Sequence, residues 1–487
     1  MNGAGERARW AMHWDEVAVF DANSASLGFD EYELMKAAGE ALAGEVAKNS
    51  GEGDVLFLCG PGNNGGDGFV AACSAPLAGT RVSVLSSHES SKTTISSRAR
   101  EMAAKELPIH VWPEIPEGDW TLIVDCLLGA GGPAEGTELR PPIIEVTNWA
   151  TSTGLPVISC DIPTGLGGPD SLQPIRTVTF HSPKMGMSES GCGEIVVSDL
   201  PWPAEVSNCG VGDANRYPPM YSEASKGDRG RLLVVGGGPY HGAPILSGMA
   251  AARSGCDLVH VAMPEQASSR TKWPPSLIPE VLPDSEFLTP ESVRSLSSFI
   301  DSGRPPDAIV IGPGIGREED SMEAVRKVLS ISASKSIPLV IDADAISALP
   351  KGEWPPGLIG VATPHSNEAE RWLSGKSPIE ALGNCIGEES AIVITGHEDE
   401  LFGPLGRHCF ASGGHPRMAV SGTGDLLAGT IGGLLAQGMS PWSAARLACA
   451  ILREAGSRAA EEKGPGLLAD DVPVHIAHTL SDWTRGE

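Results

Sequence analysis

Several short segments carry side chains that could move protons, hold an oxygen-bound cation or cradle phosphate. Residues 60–68 read Gly-Pro-Gly-Asn-Asn-Gly-Gly-Asp-Gly and directly follow the apolar run 55–59. Gly60, Gly62 and Gly65 satisfy the G-x-G-x-x-G spacing of a dinucleotide-binding turn. The acid that such a turn needs at the end of the next strand is missing, because the run 81–85 continues into Ser86 and Ser87. A dehydrogenase is therefore disfavoured, and the turn is richer in Asn and Asp than phosphate cradling requires. Asp125 and Asp161 each follow an apolar run, the position beyond a strand's carboxyl end where open α/β sheets build their sites. Either could instead cap the following helix. A partly desolvated carboxylate can accept and donate a proton near neutrality, and Asn, Asp and Thr oxygens suit a hard monovalent cation.

A second group lies far along the chain. Ser421-Gly422-Thr423-Gly424-Asp425 runs into the apolar stretch 426–437. A Gly-Thr-Gly turn entering a helix offers backbone amides and the positive end of the helix dipole to an anion. Asp425 is placed to deprotonate a hydroxyl while those amides stabilise the phosphoryl group under attack. The alternative is a plain glycine turn with an acid in the first helical turn. Lys184 is open in the same way, since a solvated strand-end lysine accounts for it equally well.

Elements able to position these groups are legible from apolar runs and their breakers. Runs 55–59, 81–85, 122–124 and 157–160 are short and bounded by Gly, Pro or Asp, as buried parallel strands are. Ahead of them, Leu34, Met35, Ala38, Leu42 and Val46 recur at helical spacing, and Asp30 with Glu33 predicts a capping box. A second series comprises 231–235, 258–261, 308–311, 339–341, 358–362 and 391–394. The proline-bearing stretch between the two series shows little periodicity and predicts a domain boundary within 210–225, set at 212/213, giving domains 1–212 and 213–487. The expected fold class is α/β in two domains.

The 487 residues exceed a typical single core. A hydrophobic content of 41% with 20% charged residues is that of a folded globular protein. The net charge of −27 argues against nucleic acid or an anionic membrane as partner. The ten cysteines show no C-x-x-C pair and are expected as reduced thiols. With no signal-like or membrane-spanning run, a cytoplasmic location is expected.

Taken in order, residues 34–39, GNNGGDG, VDCLLG, DIPTG and HSPKMG resemble the NAD(P)H-hydrate epimerase domain across roughly the first 200 residues. The resemblance implies a Rossmann-like three-layer α/β sandwich. It further implies that Asn63, Asn64, Gly65, Gly66 and Asp67, with Gly129, Ala130, Gly131, Gly132, Pro133, Ala134 and Glu135, hold the hydrated dinucleotide. Asn64, Asp125 and Thr164 would ligate K+, and Asp161 would contact substrate as the acid/base group. Thr164 stands where the family usually has Ser, and the hydroxyl is kept.

Residues 226–465 resemble the ADP/ATP-dependent NAD(P)H-hydrate dehydratase, a ribokinase-like fold, through 231–244, IGPGIG at 311–316, IDADA at 341–345, ATPH at 362–365 and the SGTGD turn. By that resemblance Ala243, Gly314, Gly316, His365 and Asp425 would meet the hydrate. Thr395, Gly396, His397, Glu398, Asp399 and Gly424 would meet ADP or ATP, with Mg2+ accompanying the nucleotide, and the protein would be a homo-oligomer. For His365 the plainer role is a loop histidine bonded to backbone. The family's nucleotide loop reads Lys-Gly-x-x-Thr, whereas 395–399 lacks the lysine and gains two acids, an unfavourable setting for phosphate. A competing reading is a ribokinase-like kinase for a vitamin precursor with a non-catalytic N-terminal binding domain, but it leaves GNNGGDG and DIPTG unexplained.

Overall fold

The computed structural model describes residues 12–14, 16–130, 138–283, 286–301, 304–383, 385 and 389–485. The chain divides into two compact units, Met1–Val206 and Ser207–Glu487. The division falls a few residues before the expected boundary. The turn Val211–Arg216 belongs with the second unit because Asp213 is paired with Arg446 at 2.6 Å, both side chains being buried.

The first unit is built on a seven-stranded parallel sheet: β1 (Asp54–Cys59), β2 (Val82–Ser86), β3 (Ile109–Val111), β4 (Trp120–Cys126), β5 (Val157–Cys160), β6 (Arg176–Phe180) and β7 (Glu194–Ser198). Their spatial order is β3-β2-β1-β4-β5-β6-β7. Alternation along β1 sends Val55, Phe57 and Cys59 to one face, against Met35, Leu42, Val46 and Phe69. Leu56 and Leu58 go to the other, with Ile143, Val146 and Ala150. Both faces are thus covered by helices, which is why the strands read as unbroken apolar runs. The helix Glu31–Asn49 starts where the cap predicts, Asp30 accepting from the Tyr32 amide at 2.8 Å. The box does not close, because the Glu33 carboxylate pairs with Lys36 instead.

The second unit carries nine strands: β8 (Arg231–Val235), β9 (Leu258–Pro264), β10 (Ile278–Leu282), β11 (Ala308–Ile311), β12 (Leu339–Ile341), β13 (Gly360–Ala362), β14 (Ser390–Ile394), β15 (Asp399–Phe402) and β16 (His408–Ala411). The order is β10-β9-β8-β11-β12-β13-β14-β15-β16, with β14–β15 and β15–β16 antiparallel and the other pairings parallel. Leu232, Val234, Val310 and Val340 pack with the helices Thr423–Ala436 and Pro441–Lys463. Leu233, Val235, Ile309 and Ile341 pack with Pro290–Ile300 and Glu319–Lys335. Among the described residues no helix is long and apolar enough to cross a membrane.

Candidate active sites

Each sheet reverses its winding at one pair of neighbouring strands, β1/β4 in the first unit and β8/β11 in the second. Loops leaving such a pair diverge to opposite faces and open a crevice at the carboxyl ends. In the first unit the two loops nearly touch: a Cβ on Gly60 would fall 1.7 Å from the Leu127 carbonyl oxygen, so only glycine fits.

Beyond that contact lies a cavity of about 590 Å³. Asn63, Asn64, Asp67, Gly129, Ala130 and Asp161 line it together. Gly65 and Gly66 are buried in the helix Asn63–Ala72 behind it. Gly131, Gly132, Pro133, Ala134 and Glu135 lie outside the described residues.

Asp161 sits at a positive φ of 64°, turned by the bend after β5. Its Oδ1 pairs with Lys184 Nζ at 2.6 Å and its Oδ2 accepts from the Ala130 amide at 2.8 Å. Lys184 also donates to Thr179 Oγ1 and to the Phe180 carbonyl oxygen, and its side chain is 3% exposed. It is no solvated strand-end lysine; it is the counter-charge of the candidate acid/base.

Asp125, at the end of β4, is wholly buried and caps no helix. Oδ1 accepts from Thr164 Oγ1 at 2.7 Å and the Leu127 amide at 3.2 Å; Oδ2 accepts from Ser159 Oγ and the Thr164 amide, both at 2.9 Å. Burial raises its pKa, and these hydrogen bonds pull the other way. Asn64, also buried, differs: among the described residues neither side-chain amide atom has a hydrogen-bond partner.

Lining residues that had not been singled out in the sequence include four with polar or charged side chains. Lys92 and Thr93 stand at the start of the helix Thr94–Ala103, and Thr93 Oγ1 donates to Asn63 Oδ1 at 2.6 Å. Asp21, from the helix Glu16–Ser26, and Glu31 bring further carboxylates. Burial, with Glu31 and Asp161 adding to it, raises Asp21 to about 7. Burial likewise pushes Asp67 well up. The Lys92-Thr93 pair could have been read as a helix cap. The Asp21 helix has too weak an apolar stripe to have announced itself.

In the second unit Ala243 follows β8, Gly314 and Gly316 follow β11, His365 follows β13 and Thr395 follows β14, while Gly424 and Asp425 come after β16. Ala243 opens the helix Ala243–Arg253. Gly314 and Gly316 lie in the loop after β11, the Gly316 amide donating to Asp344 Oδ2 at 3.2 Å. Asp344 also pairs with Arg317 at 2.7 Å. Gly424 and Asp425 stand in the first turn of the helix Thr423–Ala436. That helix is fixed laterally: Ser247 Oγ donates to the Asp425 carbonyl oxygen at 2.9 Å, and a Cβ on Gly429 would fall 2.0 Å from the Ser247 carbonyl oxygen. Burial raises the Asp425 carboxyl to about 6, in the range of a base working near neutrality. Asp342, buried and bonded by Thr363 Oγ1 at 2.7 Å, is raised to about 8 by burial and by Asp425.

His365 caps the helix Ser366–Leu373, its Nδ1 accepting from the Asn367 amide at 3.1 Å. The plainer expectation for that nitrogen is met, and Nε2 is left as the donor, with Glu368 Oε1 at 3.5 Å. Thr395 bridges His365, the Thr395 amide donating to the Pro364 carbonyl oxygen at 2.9 Å. Residues 395–398 form the turn between β14 and β15. Asp399 closes it by accepting from the Gly396 amide at 3.1 Å. One of the two acids expected to burden this loop is balanced by Arg453 of the helix Pro441–Lys463. Arg453 pairs with Asp399 at 2.9 Å and donates to the carbonyl oxygens of Gly396, His397 and Gly413. Glu398 accepts from Ser412 Oγ.

Comparison with known proteins decides the family. The bifunctional NAD(P)H-hydrate repair enzyme Nnr of Hyperthermus butylicus is 34% identical over 96% of this chain and 91% of its own. The chain belongs to the bifunctional NAD(P)H-hydrate repair enzyme family. The Nnr protein of Pyrobaculum aerophilum is 32% identical over 96% of this chain and 97% of its own. Within the repair-enzyme chain, residues 232–477 match the family described as NAD(P)H-hydrate dehydratase and residues 31–186 the YjeF-related protein N-terminus. A solved structure, the ADP/ATP-dependent NAD(P)H-hydrate dehydratase of Bacillus subtilis co-crystallised with ATP and Mg2+, is 23% identical over 56% of this chain and 97% of its own, with a TM-score of 0.46.

Proposed function

We propose that the chain repairs hydrated nicotinamide dinucleotides at two sites: the first unit interconverts the R and S hydrates, and the second dehydrates the S form at the expense of ADP or ATP. The observation that carries this reading is the convergence of Asn64, Asp67, Ala130 and Asp161 on one cavity at the winding reversal of the first sheet. A kinase with a merely auxiliary N-terminal domain has no use for it.

In the second unit Asp425 takes the proton of the hydrate's ring hydroxyl while that oxygen attacks the terminal phosphoryl group, whose bond to the bridging oxygen breaks and releases AMP from ADP or ADP from ATP. The Gly424 turn directs backbone amides at the phosphoryl oxygens. Phosphate then departs with its bonding pair as a ring proton is lost, restoring the dihydronicotinamide; phosphate leaves far more readily than hydroxide. Among the described residues no cluster of three acidic, His or Cys side chains forms a metal site, so magnesium is best supplied on the nucleotide's own phosphates. The turn 395–398 borders the nucleotide, and Arg453 holds its shape and neutralises Asp399.

In the first unit Asp161, set against Lys184, exchanges protons with the hydrate. Potassium fits the residues present. The buried amide oxygen of Asn64 is unpaired, and Thr164 Oγ1, which donates to Asp125 and accepts from Leu128, keeps an acceptor site. The Asp125 oxygens each already accept twice, so Asp125 would supply charge more than a new bond. Bound there, the ion would offset the substrate's negative charge. Potassium should raise the melting temperature of the wild type and not of Asn64→Ala, whatever the activity. The acidic charge supports a cytoplasmic home, and the family resemblance supports a homo-oligomer.

The test follows reduced-nicotinamide absorbance from mixed hydrates with ADP or ATP supplied. Complete conversion, faster than spontaneous epimerisation allows, is expected. Asp161→Asn should slow only R-hydrate use, and Asp425→Asn should stop all repair. Full turnover by Asp425→Asn would remove the base assignment. A stable phosphorylated product with no NADH released would favour the kinase reading.

A further inference from the structure

The first unit's cavity holds more acid than one proton exchange needs. Asp21, Asp67 and Asp161 all line it, with Lys184 as the cation bound among them. Their surroundings differ. Asp161 is fully engaged, by Lys184 on one oxygen and by the Ala130 amide on the other. Asp21 forms no hydrogen bond or ion pair among the described residues, although its flank is shielded by the protein. Its field comes from Glu31 on the helix Glu31–Asn49, Asp67 on the helix Asn63–Ala72, Asp161 after β5 and Lys184 after β6, and His181 lines the same cavity. A carboxyl without a partner, facing a ligand cavity between other acids, keeps its proton most cheaply and has nowhere to deliver it except the ligand.

We propose that Asp21 is a second catalytic residue of the first unit: the general acid that works opposite Asp161 as base, resting on the epimerase reading of this cavity. Water adding to the enamine double bond of a dihydronicotinamide leaves a hydroxyl on the ring carbon bonded to nitrogen. Asp161, charge-balanced by Lys184, takes the hydroxyl proton; the carbon–nitrogen bond breaks, a carbonyl forms, and the ring nitrogen takes the proton of Asp21. The carbonyl carbon rotates about its remaining single bond and the nitrogen closes on its other face. Both protons then return to the groups that held them, so configuration inverts with no net gain of protons or electrons. A protonation level near 7 lets Asp21 be acid and, in reclosure, base at the same pH. Burial, with Asp161 and Asp21 beside it, raises Asp67 as well, so the cavity holds a third carboxyl biased toward its protonated form.

The experiment uses the full chain with adenine nucleotide and separately purified R and S hydrates, each rate corrected for an enzyme-free control. Asp21→Asn should lower R-hydrate use by roughly 100-fold or more, with S-hydrate use as internal control unchanged. In the wild type, R-hydrate use limited by the first unit should fall as pH rises through about 7, and this limb should be absent from Asp21→Asn. Asp21→Glu should restore part of the rate together with a limb at a shifted pH, which a loss of folding or packing would not produce. Asp21→Asn within threefold of wild type with its limb intact would overturn the inference and leave the epimerase reading standing, as would Asp21→Glu being as inactive and as flat as Asp21→Asn. Wild type no faster on R hydrate than the enzyme-free control would instead remove the reading on which the inference rests.

Discussion

The two candidate carboxylates, Asp161 and Asp425, are made useful by opposite means. Asp161 is held by a buried ammonium and a backbone amide, so its position is fixed by partners. The Asp425 carboxyl is controlled by desolvation alone, which raises it to about 6. A base must be deprotonated to act, so dehydration of the S hydrate should rise with pH through about 6 and level off above it. Asp425→Asn should lower kcat by roughly 100- to 10,000-fold and lose that limb. Asp342 carries a stability consequence. Its folded-state pKa of about 8 lies above the unfolded carboxylate value, so the folded protein binds this proton more tightly than the unfolded chain does. The stabilisation is complete below the unfolded value and declines as pH rises through about 8. Asp342→Asn should therefore flatten the fall in urea stability between pH 5 and 8, and an unchanged slope would discount the burial argument.

At the scale of elements, strands buried on both faces were legible and partly exposed ones were not. Val157–Cys160, Arg231–Val235, Ala308–Ile311 and Leu339–Ile341 appear where their apolar runs predict. The strand β6 alternates Arg and Thr with Val and Phe and gives no continuous run, whereas the half-buried edge strand β7 holds the short run Ile195–Val197, which was passed over. The edge strand β10 contains Pro279, which demotes a strand in any reading by pattern. The strands β15 and β16 are short and antiparallel, a departure from the repeating unit that sets up the expectation of a parallel sheet. The site was legible as motifs because each motif is a turn after a strand. Asp21 was not, because it comes from a helix packed across the cavity, and Arg453 was not, because it approaches from a helix 54 positions after Asp399. Arg453 makes a prediction at this scale. Arg453→Gln should unfix the turn 395–398, raising KM for the adenine nucleotide while leaving kcat within a few-fold; an unchanged nucleotide KM would place this turn away from the nucleotide.

Across the whole molecule, each apolar cluster lies within one of the two units. Fragments 1–206 and 207–487 should therefore each fold, the first keeping R-to-S conversion and the second S dehydration, as circular dichroism and the hydrate assay would show. The second fragment should start no later than Ser207. Arg446 donates to the carbonyl oxygens of Ser207 and Asn208 as well as pairing with Asp213. Removing one partner of such a buried pair leaves an uncompensated charge, so Arg446→Ala should cost about 3–5 kcal/mol in chemical denaturation. A loss below 1 kcal/mol would mean that the pair is dispensable.

The contact between Gly429 and Ser247 sets where this protein can bend. Backbone rests on backbone there, with Ser247 Oγ tied to the carbonyl oxygen of Asp425, so the helix that carries Asp425 and the helix that Ala243 begins move as one stiff body. Side-chain rotamer exchange cannot open a gap between them. Whatever admits the hydrate and releases the repaired cofactor must therefore be loop motion around this body. Amides of 426–433 should be among the slowest in the unit to exchange with deuterium, while those of 236–242 and 395–398 exchange quickly until nucleotide binds.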